Sequence, residues 1–219
     1  MISGVKKTVR GSRETDRTWT VVLFVNLVLH AAAFCVFCGT RFSVDSYGAW
    51  MKGGYLFESM VANYRFTGAA IVRVLAAAGR NPVMNDTPEI LLWCAAASLV
   101  STALARTVCE TAGISGRCEK ACISLAVTTV FLNVVMGSQM SFPECVTVNT
   151  AGLLLCFLAI RTAYRGRDIL HALLSGVFLA LAAGTFQFCA EIWLLFILVL
   201  YLIRLCRAAG LEERKAVSR

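Results

Sequence analysis

Residues 60–79 read MVANYRFTGAAIVRVLAAAG, a mostly apolar stretch interrupted by Arg65 and Arg73. Its length suits a membrane span, since about 20 residues of α-helix cover a hydrocarbon layer roughly 30 Å thick. Two arginines near the midplane would cost about 5 to 7 kcal/mol on insertion scales. The assignment matters beyond this stretch, because one added span inverts every later loop. With residues 60–79 kept outside and six spans elsewhere, one side of the membrane collects sixteen of the 21 Lys and Arg residues: Lys6, Lys7, Arg10, Arg13 and Arg17; Arg106, Arg117 and Lys120; Arg161, Arg165 and Arg167; Arg204, Arg207, Arg214, Lys215 and Arg219. A seventh span would put most of these charges outside, against the bias of basic residues towards the cytoplasm. The stretch is therefore predicted to form a helix lying at the outer membrane surface, with Arg65 and Arg73 on one face at i and i+8.

Working outward, the predicted spans are Trp19 to Cys38, Glu89 to Ala105, Ala121 to Met140, Cys145 to Ala163, Ile169 to Phe188, and Cys189 to Cys206. Little polar sequence separates the last two, which predicts a tight helical hairpin. The first reads as an uncleaved signal-anchor, because apolar sequence continues to Cys38 after the small-residue run Ala31-Ala32-Ala33. The expected fold is an all-α, polytopic membrane protein of about six transmembrane helices with both termini cytoplasmic. Residues 1–18 form a basic cytoplasmic N-terminus, 39–88 an extracytoplasmic loop with the surface helix, 89–206 five further spans, and 207–219 a basic cytoplasmic tail. Composition agrees: 58% of residues are hydrophobic and 16% charged, too apolar for an ordinary water-exposed surface. A mean hydropathy of +0.71 excludes a disordered chain, and the long apolar runs exclude the alternating pattern of a barrel. Once the charges are mapped, the net charge of +8 reads as a topology signal and not as a nucleic-acid footprint.

A loop of about 50 residues is long enough to expect structure or function in it. On the predicted outer face lie Asp45, Glu58, Asp86, Glu89, Glu144 and Glu191, against Arg41, Lys52, Arg65, Arg73 and Arg80. Asp45 stands out. It follows the first span by a few residues, in Phe42-Ser43-Val44-Asp45-Ser46-Tyr47, which places its carboxylate near the interface between lipid and water. Arg65, in Asn63-Tyr64-Arg65-Phe66, offers a guanidinium able to hold two phosphate oxygens or to anchor a lipid headgroup. Trp50 and Tyr55 fit membrane anchoring or carbohydrate contact. Asn26 and His30, four apart in the first span, predict a buried interhelical hydrogen bond. Gln187 and Glu191 have the same spacing at an outer helix end. Gly176, Ala180 and Gly184 form a small-residue series suited to close helix packing. The ten cysteines form no disulfide framework, and Cys35-x-x-Cys38 lacks the second pair a zinc site needs.

A first helix, then Ser-x-Asp-Ser at 43–46, an x-Arg-Phe surface helix at 64–66, Phe142-Pro143-Glu144, and Gly184-Thr185-Phe186-Gln187 before the next helix form an ordered set. From about Phe24 to Ile203 this order resembles the Gtr type II membrane glucosyltransferases, which modify bacterial surface polysaccharides such as O-antigen at the inner membrane and share the general plan of GT-C glycosyltransferases. The resemblance implies transfer of a hexose, usually glucose, from a polyprenyl-phosphate sugar donor to a glycan acceptor on the extracytoplasmic side. It implies Asp45 as the catalytic carboxylate, Arg65 as the phosphate-binding residue, and Glu144 and Gln187 as substrate-binding residues. It implies no cofactor and no metal ligand, and leaves a divalent metal requirement open. The partners implied are the lipid-linked donor, the glycan acceptor and membrane lipid, with no nucleic acid. Members more often carry glycine before the arginine, where this chain has Tyr64. They are usually longer, so the chain is read as a compact relative, a truncated product, or one component working with partner membrane subunits. The competing class is a nonenzymatic transporter or flippase for lipid-linked sugars, or a scaffold subunit.

Overall fold

The computed structural model of the chain describes residues 2–39, 55–80, 87–133, 136, 142, 145–166 and 168–217, with side chains from Arg17 to Gly210. Among the described residues every regular element is helical. In chain order they are α1 (Ile2–Phe34), continued by a 3-10 turn (Cys35–Phe37), α2 (Tyr55–Ala62), α3 (Phe66–Ala77), α4 (Thr87–Ala112), α5 (Arg117–Thr129), α6 (Val146–Arg165), α7 (Ile169–Ala183) and α8 (Phe188–Val217). Local signals explain several boundaries. Pro88 sits in the first turn of α4, where its missing N–H removes no helical hydrogen bond. The same helix ends at Gly113, which adopts φ 72° while the Ile114 N–H donates to the Cys109 carbonyl at 2.9 Å. α3 ends alike at Gly79, with φ 69° and the Arg80 N–H on the Leu75 carbonyl at 3.0 Å.

Among the described residues, four helical segments are long and apolar enough to cross a membrane: Arg17–Phe37, Thr87–Ala112, Val146–Arg165 and Phe188–Gly210. The other two predicted spans are represented by shorter helices, α5 with 13 residues and α7 with 15. At about 1.5 Å per residue these cover roughly 20 Å. The predicted hairpin breaks at residues 184–187, between the end of α7 and the start of α8.

Residues 60–79 do not form one helix. The chain leaves α2 after Ala62, turns through residues 63–65, and re-enters helix at Phe66. Tyr64 makes this turn in the left-handed region, at φ 58°, where a residue bearing a Cβ is disfavoured. The turn is held by the Arg65 N–H on the Met60 carbonyl at 2.8 Å and by the Asn63 side-chain amide on the Ser59 carbonyl at 2.8 Å. With 8 and 12 residues, α2 and α3 are each too short to span. Arg65 consequently lies at the entry to α3, and it shares no continuous helix face with Arg73.

α4 occupies the centre of the bundle and packs against α1, α5, α6 and α8. Its inner face combines Ile90, Trp93, Ala97 and Leu104 with the small residues Ser98 and Ser101, all buried, and small residues let neighbouring backbones approach. α1, α7 and α8 expose rows of large apolar side chains, among them Val21, Phe24, Leu170, Leu173, Leu194 and Leu198. A water-facing surface rarely carries so much contiguous apolar area, whereas lipid accommodates it.

The expected partnership of Asn26 is present. The Asn26 side-chain amide donates to Thr102 Oγ1 at 2.9 Å and to Ser101 Oγ at 3.3 Å, while its carbonyl accepts from Thr128 Oγ1 at 2.9 Å. α1, α4 and α5 are thereby joined by one buried side chain. His30 belongs to the same region, its Nδ1 2.8 Å from the backbone carbonyl oxygen of Asn26 and 3.2 Å from Ser98 Oγ.

Asp168 caps α7, accepting from the His171 backbone N–H at 2.9 Å and from His171 Nδ1 at 2.5 Å. The backbone bond first, and the side-chain bond second, hold its carboxyl below the usual range. A carboxyl depressed in the folded state contributes stability above its unfolded value, about 3.9, and loses it as pH falls through the lower folded value. Asp168→Ala should therefore lower the thermal midpoint in detergent at pH 7, and the gap from the unmodified chain should narrow as the pH falls below about 4.

Candidate functional site

A second apolar cluster lies apart from the main core. Met60 of α2, Ala69 of α3, Cys145 and Val148 at the start of α6, and Phe186 in the α7–α8 turn are its buried members, with Phe142 packed against them. Two glycines make the approach possible. The Gly68 N–H donates to the Gly184 carbonyl at 3.0 Å, docking α3 directly on the turn. A Cβ on Gly184 would stand 2.6 Å from Thr67 Oγ1, and one on Gly68 would stand 3.0 Å from Val148 Cγ1. On the other side of the turn, a Cβ on Gly152 of α6 would overlap the Thr185 hydroxyl. Gly184→Val should push α3 away and cost about 1–3 kcal/mol. Hydrogen exchange in α3 should accelerate while α4 stays protected.

Arg65 is positioned by this docking. Its guanidinium carbon lies 3.9 Å from the centroid of the Phe186 ring, and the side chain is half-buried. Such stacking contributes about 0.5–2 kcal/mol depending on desolvation and leaves the guanidinium N–H donors at the ring edge free for an anion. No carboxylate among the described residues pairs with Arg65. Arg73 takes a different ring, 4.7 Å over Phe57 of α2. Gln187 immediately follows Phe186 in the turn and is exposed. Since α8 begins only at Phe188, Gln187 and Glu191 do not form a pair within one helix.

The arrangement thus brings Arg65 beside the turn that carries Gln187, together with Phe142 of the Phe-Pro-Glu stretch. Asp45 and Glu144, the predicted catalytic carboxylate and second substrate-binding residue, lie outside the described residues, as do Trp50 and Asp86. Tyr55 opens α2 and is half-buried.

Three features of this region were not assigned from sequence. Phe186 is the ring beneath Arg65. Glu89, expected on a solvated surface, is only 6% exposed and accepts from Arg80 Nη2 at 2.5 Å, while its Oε2 has no hydrogen-bond partner. Asn149, next to Val148, is fully buried with neither side-chain amide atom hydrogen-bonded. An unsatisfied buried polar group costs about 1–3 kcal/mol. Proline and glycine spacing marks turns, but no local pattern distinguishes a buried Glu89 from a solvated one.

None of the ten cysteines is joined in a disulfide. No group of three or more His, Cys, Asp or Glu among the described residues is arranged to hold a metal ion. Fold and site together define, among the described residues, an all-α chain with four helices capable of crossing a membrane and a cation held over an aromatic ring where α3 meets the α7–α8 turn. No known protein family, curated protein or solved structure matches the chain.

Proposed function

We propose that this protein is a multi-pass membrane glycosyltransferase that moves a hexose, glucose by the resemblance, from a polyprenyl-phosphate donor to a surface glycan on the extracytoplasmic side. The observation that carries the reading is the meeting of Arg65 with Phe186, which gathers segments more than a hundred residues apart into one cluster. In this reaction the acceptor hydroxyl attacks the anomeric carbon, the bond from that carbon to the phosphate oxygen breaks, and the hydroxyl proton passes to Asp45. Polyprenyl phosphate departs, and Arg65 offsets the negative charge that develops on it. Gln187 and Glu144 would hydrogen-bond sugar hydroxyls. α2 and α3 would lie at the membrane surface with both chain termini in the cytoplasm.

The deciding experiment incubates the purified chain with a polyprenyl-phosphate hexose and an acceptor glycan, and follows new glycosidic bonds by mass spectrometry. Movement of lipid-linked sugar across liposomes without bond formation would replace this reading with transport. Topology has its own check. Cys118, exposed at the start of α5, is expected to react with a membrane-impermeant maleimide in a single-cysteine variant only after the membrane is permeabilised.

A further inference from the structure

At the opposite end of the bundle from Arg65, a cavity of about 530 Å³ opens between α1, α4 and α6. Both α1 and α6 pack on α4, and the cavity runs along α4 between them. Its composition changes along the helix axes. Leu23, Leu99 and Phe157 line the deeper part, and Arg106, Arg161 and Arg165 line the mouth. From Leu99 to Arg106, and from Phe157 to Arg165, the axial distance is about 10–12 Å, so apolar and cationic walls occupy successive depths of one groove.

The cations at this end are not equivalent. Arg106 Nε is paired with Glu110 at 2.8 Å. Arg204 stacks on Tyr164, 4.4 Å from the ring centroid, and Arg207 donates to the Thr111 carbonyl at 2.7 Å. Arg161 and Arg165, one turn apart on α6, are exposed and have no carboxylate partner among the described residues. Three arginines face the cavity against one glutamate, leaving an excess of positive charge directly above an apolar floor. Leu99 on that floor is 55% exposed, so the groove is open on a flank where acyl chains would lie.

We propose that this groove holds one anionic phospholipid of the bilayer leaflet at that end, its phosphate between Arg161, Arg165 and Arg106 and an acyl chain along Leu23, Leu99 and Phe157. A soluble phosphate would satisfy the arginines and leave the apolar floor unused. A zwitterionic lipid would use the floor, but its own cation would compete with the arginines for the phosphate. The site does not involve Asp45 or Arg65, so it stands whether or not the chain transfers sugar.

The test uses the full chain in nanodiscs of phosphatidylcholine containing phosphatidylglycerol, with lipids retained on the released protein read by native mass spectrometry. The unmodified chain should retain one phosphatidylglycerol, and inorganic phosphate in excess should not displace it. R161Q/R165Q should lower retention about 30-fold, the effect of removing two interfacial arginine contacts. R161K/R165K should keep most of it, and R73Q, at the other end, should keep all of it. Leu99→Trp, which fills the groove without changing charge, should lower retention as well. Unchanged retention in R161Q/R165Q or in Leu99→Trp, in protein that stays monodisperse, would overturn the site, as would displacement by inorganic phosphate alone.

Discussion

Asp45→Asn is expected to abolish hexose transfer while leaving membrane insertion intact, and Arg65→Gln to slow transfer about 10²–10³-fold. The two substitutions remove different things. Asparagine is nearly the same size as aspartate but cannot accept the acceptor's proton, so loss of activity with normal insertion isolates proton transfer. Glutamine at position 65 keeps a polar side chain but removes the charge that stabilises the departing phosphate. Because that charge develops as the carbon–oxygen bond breaks, the loss should fall mainly on the turnover rate and less on donor affinity. Arg65→Lys should lie between, since an ammonium keeps the charge but cannot present two parallel donors or stack as a plane on Phe186. Phe186→Leu gives an independent check, because it leaves every charge in place and removes only the ring that holds the guanidinium. Initial rates with a synthetic donor, alongside size-exclusion profiles, measure all four. Full transfer by a well-folded Asp45→Asn protein would remove that carboxylate from the mechanism.

What sequence could reveal here depended on range. The apolar runs and the distribution of Lys and Arg are summed over many residues, so the all-helical membrane character of the chain was legible despite local ambiguity. Span length was less so. Residues 121–140 and 169–188 are apolar enough to suggest spans, yet α5 closes at Thr129 and α7 at Ala183. Where the helix ends near 183 reflects the docking of Gly184 on Gly68, a contact between segments 116 positions apart that hydropathy does not encode. The break inside residues 60–79 was similarly hidden, because Tyr64 is an unusual choice for a left-handed turn. A glycine there would have announced it. In the site, Arg65 was legible as a charge in the wrong place for a span, whereas nothing in the stretch Gly184-Thr185-Phe186-Gln187 showed that the Phe186 ring lies against it. The buried environments of Glu89 and Asn149 arise from tertiary packing alone.

Asn26→Leu carries the largest expected cost in stability, about 2–4 kcal/mol, and the reasons can be separated. Asn26 is only 2% exposed, and its short bonds reach Thr102 on α4 and Thr128 on α5. Single interhelical hydrogen bonds in membranes contribute about 0.6 kcal/mol on average and up to about 1.7, so this network alone accounts for roughly 1–3 kcal/mol. Leucine has no polar atoms, and its different shape adds a packing penalty. Some of the loss is recoverable. Ser101 already donates to the Ser98 carbonyl at 3.2 Å, and the hydroxyls of Thr102, Ser124 and Thr128 can turn to carbonyls of their own helices. That recovery limits the cost to each helix but cannot restore the link between them. The expected signature is therefore selective: α1 should separate from α4 and α5 at lower denaturant than in the unmodified chain, while contacts between α6 and α8 persist. Disulfide trapping between cysteines placed on α1 and α4, followed through an unfolding titration, reads this directly. A change below about 0.5 kcal/mol would mean that apolar packing of Val22 and Trp19 on α4, and not the Asn26 network, holds the first helix in place.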